Sequence, residues 1–162
     1  MEIAVILALG GWILALIQFV ITHLEGKRKN DDELLEKTLS YFERGTQARS
    51  IGISLVEAVW LKNKKYLDVI VPVLVSQLIF LLTAAKEYGQ ERRNLFRLLF
   101  LIDKCLPYAS DPTNERAEIS EAILSAGLNP GNISINKMTL RSWYGTFNNG
   151  DTTFFDTETE GS

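Results

Sequence analysis

The chain has 162 residues. If a bilayer claims an uncharged run of roughly 20 near the start, the remainder suffices for one domain with a modest core and not for two. Its 17 basic and 20 acidic residues leave a net charge of −3, which excludes a global field recruiting nucleic acid or acidic substrates and leaves only local electrostatic recognition.

From Ile3 to Ile21 no side chain is charged, and at about 1.5 Å per residue such a helix reaches across a hydrocarbon layer of about 30 Å. The start, Met1-Glu2, lacks the basic region of a cleavable signal, and the exit towards Lys27 lacks a small-residue cleavage site. Residues 1–24 therefore read as a retained, single-pass transmembrane anchor. Lys27, Arg28 and Lys29, in a juxtamembrane linker of residues 25–30, mark the cytoplasmic flank and are placed to touch anionic lipid headgroups. Ala4, Ala8, Gly11, Ala15, Gln18 and Thr22 fall within an arc of roughly 80° on a helical projection. Membrane helices associate where small residues let backbones approach and polar side chains bond across, so this seam predicts self-association into a homo-oligomer. His23, the one histidine, has no second ligand at metal spacing.

A soluble helix is predicted to start at Asn30, whose capping-box partner is Glu33, with Asp31 and Asp32 favourable in the first turn. Its stripe is Leu34, Leu35, Leu39 and Phe42, and Gly45 breaks it. The next helix, residues 46–61, is expected to turn Ala48, Ile51, Gly52, Leu55, Val59 and Trp60 inward, with Arg49 and Glu57 outside the stripe. Between Val69 and Ala85 nothing is charged, which admits a second span. Asp68, Pro72, Ser76 and Gln77, with Lys64 and Lys65 before and Arg92 and Arg93 after, favour a buried core helix over residues 66–85 instead.

Residues 90–106 form an amphipathic helix with Leu95, Leu98, Leu99 and Ile102 inward and Arg92, Arg93, Arg97, Asp103 and Lys104 outward. Cys105, the single cysteine, forbids an internal disulfide and reads as a small buried hydrophobe. Asp111-Pro112 opens a helix carrying Ile119, Ala122, Ile123 and Ala126 and closed by Gly127. After a turn at residues 129–132, a last helix to Phe147 presents Leu140, Trp143 and Tyr144. The acidic tail, residues 148–162, is expected to be disordered apart from Phe154 and Phe155.

The predicted fold class is all-α: a single transmembrane helix, then a cytoplasmic domain over residues 31–147 built as a compact bundle, or a short α-solenoid-like stack, of about five to six helices. There is no phosphate-cradling Gly-rich loop, nucleophile elbow, CxxC or HExxH, so no catalytic residue, metal or cofactor is expected. Arg92, Arg93 and Arg97 form a candidate cluster for an anionic ligand. Lys137 and Arg141, on one face of the last helix, are candidate phosphate contacts for nucleic acid, but they are few beside an acidic tail. These readings point to a membrane-tethered, non-enzymatic interaction or regulatory module with a cytosolic protein partner. A membrane-perturbing effector gated by the helical domain and a membrane-anchored nucleic-acid binder stay open as alternatives.

Overall fold

The structure, a computed structural model, describes residues 2–86 and 89–157; of residues 2–24 it describes the side chains of Gln18 and Thr22 alone, and of residues 156–157 the backbone. All regular structure among these residues is helical: α1 (Glu2–Glu43), α2 (Thr46–Leu55) running on through a π-helical turn (Val56–Trp60) into the short α3 (Leu61–Asn63), then α4 (Leu67–Thr83), α5 (Gly89–Cys105), α6 (Pro112–Leu128), α7 (Lys137–Phe147) and α8 (Thr153–Thr157). The chain divides into two units, Met1–Lys37 and Thr38–Ser162.

In the first unit, α1 passes through residues 30–33 without interruption, so the capping box does not start a helix. Asn30, Asp31 and Asp32 sit in a helix interior, where their unfavourable propensity, a few tenths of a kcal/mol each, is offset by hydrogen bonding continuous on both sides. Among the described residues no helix is long and apolar enough to cross a membrane. The candidate span of residues 3–22 falls on residues whose side chains, apart from Gln18 and Thr22, lie outside the described ones.

The second unit is a compact helical bundle. Gly45 ends the first helix as expected; its φ of 96° is a conformation that a β-carbon disfavours. The polypeptide turns there into α2, whose Gly52 lies beneath the Phe42 ring: a β-carbon on it would approach that ring to 3.1 Å. Trp60, at the end of the π turn, buries its indole, donates its Nε1–H to the Thr38 hydroxyl at 3.1 Å and meets Tyr66 edge-to-face.

The core centres on α4, which packs against both α5 and α6 and buries Leu67, Ile70, Val71, Leu74, Val75, Leu78, Leu81 and Leu82. The uncharged segment is thus sheathed by the amphipathic faces of its neighbours, α5 presenting Leu95, Leu98, Leu99 and Ile102, and α6 presenting Ile119, Ala122, Ile123 and Ala126. Asp111 caps α6 by accepting the Asn114 N–H at 3.0 Å. Gly127 does not close that helix, which continues to Leu128.

Two further expectations are corrected. The buried face of α2 is Arg49, Gly52 and Ile53, followed by Val56 and Trp60 of the π turn, whereas Ile51 is 49% exposed. Arg49, expected outside the stripe, is inside because a carboxylate and an amide from two other helices meet it there. The tail, expected to be disordered apart from Phe154 and Phe155, is ordered around them as well, from residue 148 to 157: Asp151 accepts bonds from the Thr153 N–H and hydroxyl, and α8 lays Phe155 against Tyr144 and over Gly127. Phe155 is buried, and the gain from burying an aromatic ring outweighs the polar composition around it.

Candidate interaction surface on helix α5

The rotation of α5 is fixed by a polar network on its inner face. Glu91 and Arg49 form an ion pair at 4% and 5% exposure. The Glu91 carboxylate also accepts from the Thr46 hydroxyl at 2.8 Å and from Asn94 Nδ2 at 3.1 Å, while Asn94 Nδ2 donates to the Thr46 carbonyl at 3.0 Å. Arg49 Nε donates to Gln77 Oε1 of α4 at 2.7 Å, and the guanidinium lies 5.1 Å from the Phe80 ring centroid. Burial raises the Glu91 pKa, but the bonds from Arg49, Thr46 and Asn94 outweigh it and hold the carboxyl below its ordinary value. A charge is tolerated at this depth because the Glu91 carboxylate accepts from three donors, while the Arg49 guanidinium gives Nε and Nη1 to acceptors on two other helices.

With Glu91, Asn94, Leu95, Leu98 and Ile102 turned inward, Arg92, Arg93, Phe96, Phe100 and Lys104 face out. Phe96 and Phe100 are 42% and 62% exposed. Phe96 meets Trp143 of α7 edge-to-face, ring centroids 4.9 Å apart. A groove of about 340 Å³ runs between the two helices, lined chiefly by Phe96, Leu99, Phe100, Trp143 and Phe147, with Asp103 on its rim. A second hollow of about 450 Å³ adjoins it, formed by Gly89, Arg92, Arg93 and Arg97 and sharing Phe96. The exposed face of α5 is therefore aromatic along its middle and cationic at its edges. Lys104 Nζ lies 4.0 Å from the Phe100 ring centroid, and Arg93 Nε donates to the Gly89 carbonyl at 3.4 Å.

The arginine cluster is only partly assembled. Arg92 and Arg93 are exposed, but Arg97 turns towards α2, pairing with Glu57 at 2.6 Å and donating to the Ser50 and Ser54 hydroxyls at 3.2 and 2.9 Å. Of the association seam, Ala4, Ala8, Gly11 and Ala15 lie outside the described side chains; Gln18 and Thr22 are exposed on α1, where the Thr22 hydroxyl donates to the Gln18 carbonyl at 2.9 Å. Lys27, Arg28 and Lys29 are exposed on the same helix. Among the described residues no three His, Cys, Asp or Glu side chains gather to hold a metal. Cys105 is fully buried and its thiol is pushed up to about 11 by that burial, an inert setting for a nucleophile.

The pairing of Phe96 with Trp143, with Phe100 lining the same groove, escaped the sequence reading. A signal existed, since two phenylalanines four residues apart off the leucine stripe must meet either solvent or a partner. Compared with protein-family models, curated proteins and solved structures, the chain matches none.

Proposed function

We propose that this chain is a membrane-tethered, non-enzymatic interaction or regulatory module. Residues 3–22 anchor it and associate with other copies along the Ala4 to Thr22 seam, and the helical domain engages its partner through the outer face of α5. The observation that carries the partner-binding half is the exposure of Phe96 and Phe100 beside Trp143 and two arginines. A surface with aromatic rings at its centre and charge at its rim has the make-up of a recognition patch. The tethering half is supported by the uncharged stretch from Ile3 to Ile21 and the basic triplet that follows it. The commitment of Glu91 to Arg49, and the burial of Cys105, support a structural role for the groups that could otherwise perform chemistry.

Two experiments test the tether and its self-association separately. The full chain expressed in cells should remain in the membrane pellet after alkaline carbonate washing; release into the supernatant overturns the tether. Cross-linking in membranes should trap a homo-oligomer that Gly11→Leu and Gln18→Leu weaken, and unchanged cross-linking in both variants removes the association seam.

A further inference from the structure

Arg92, Phe96, Phe100 and Lys104 follow one another at four-residue intervals on α5. On a helix that spacing makes one slowly winding ridge, here roughly 18 Å long, with a cation at each end and two rings between. Arg93 lies beside it, and Trp143 widens its aromatic centre from α7. Among the described residues that line the two hollows, Asp103 is the one acidic side chain, set against Arg92 and Arg93, while Arg97 is neutralised by Glu57. A chain of net charge −3 thus carries a locally positive face at the place where its rings are exposed.

We propose that this ridge docks the helical domain onto an anionic phospholipid surface. Charge complementarity selects an acidic partner, and the form of the ridge selects lipid among acidic partners. Phenylalanine and tryptophan flanked by arginine and lysine form the interfacial pattern in which rings enter the headgroup boundary while cations stay at the phosphates. Each Lys or Arg at such a surface strengthens binding about 5-fold, so a cluster of this size suffices when the domain is already held nearby. That proximity rests on the tethered reading proposed above. The ridge itself does not.

The test uses the full chain in vesicles of phosphatidylcholine alone and of phosphatidylcholine with phosphatidylserine. An environment-sensitive fluorophore is attached at Phe100→Cys, or at Glu121→Cys on α6 as reference; the buried Cys105 is left native. The label at position 100 should shift to the blue and be quenched by doxyl lipids in the anionic vesicles, and the label at 121 should not. Arg92→Ala with Arg93→Ala should lower the docked-to-undocked ratio about 25-fold. Equal signals in both lipid mixtures, equal quenching at both positions, or indifference to the arginine substitutions overturn the proposal. Protection of the label by added polyglutamate or single-stranded DNA, with no response to phosphatidylserine, also overturns it in favour of a macromolecular partner. Should carbonate washing release the chain, the tether falls by that result alone, and flotation of the aqueous chain on the same two vesicle types decides the ridge independently.

Discussion

Replacing Arg49 by Met removes the guanidinium but keeps much of its length and its contact with Phe80. Glu91 is then left at 4% exposure with the Thr46 hydroxyl and Asn94 amide as its remaining partners. Breaking a buried pair from one side costs about 3–5 kcal/mol, because the surviving charge stays desolvated. For a unit of this size the midpoint of thermal unfolding should fall by roughly 10–20 °C. Replacing both partners, Arg49→Met with Glu91→Met, removes both charges, so the double variant should be more stable than Arg49→Met alone.

The pH dependence carries a sign. In the native protein the Glu91 pKa is depressed on folding, so its contribution is present above the unfolded value of about 4.3 and lost as pH falls through the lower folded value. In Arg49→Met the stranded carboxyl is expected to have a raised pKa and to be stabilised by taking up a proton. The deficit relative to the native protein should therefore shrink between about pH 7 and about pH 5. Circular dichroism at helical wavelengths, on the full chain in nonionic detergent, measures both effects. A single-variant cost under about 1 kcal/mol, or a double variant costing the sum of its parts, would refute the view that this pair locks α5 against α2.

Other positions give independent readouts. Glu115 is almost buried, and burial, with Glu118 and Asp111 nearby, raises its pKa. A raised folded pKa stabilises below the unfolded value and costs above it, so Glu115→Gln should raise the unfolding midpoint at neutral pH and lose that advantage near pH 4; a variant less stable at pH 7 contradicts this. Gly131→Ala would bring a β-carbon to 2.2 Å from the Leu82 carbonyl oxygen, and because backbone yields poorly, the cost should be about 2–3 kcal/mol by urea unfolding; a neutral result means that the loop drifts freely from α4. Phe155→Ala should cost about 3 kcal/mol and speed proteolysis of the C-terminal segment, whereas an unchanged digestion pattern would restore the disordered tail.

Much of the fold is legible in residue spacing. The leucine stripe of α5, the Asp111 cap and the small apolar face of α6 are local signals, settled within a turn or two of chain, and each is where spacing puts it. The interior position of α4 is legible from what its neighbours offer, because amphipathic segments on both sides need something apolar to cover. Arg49 is a different case. Its burial depends on Glu91, 42 residues away, and α2 has enough apolar residues on adjoining arcs that Ala48 and Ile51 make as good a stripe as Ile53 and Val56. The cap at Asn30 misleads because a cap signal is read from one side only, and the residues before it also favour helix. On the outward face of α5 the charges give the plainer signal, and the two rings lie among them.

The π-helical turn from Val56 to Trp60 gives this chain an uncommon tolerance. A turn closed by i to i+5 bonds holds one residue more than an α-helix needs to come round to the same side. Excising one of the less buried members, such as Ala58, would let the turn relax to ordinary helix while returning the indole of Trp60 near its present bearing. A single-residue deletion, ruinous inside most helices because it swings everything downstream off the core, can be absorbed at this turn. A family descending from this chain could lose a residue here and keep its interior intact.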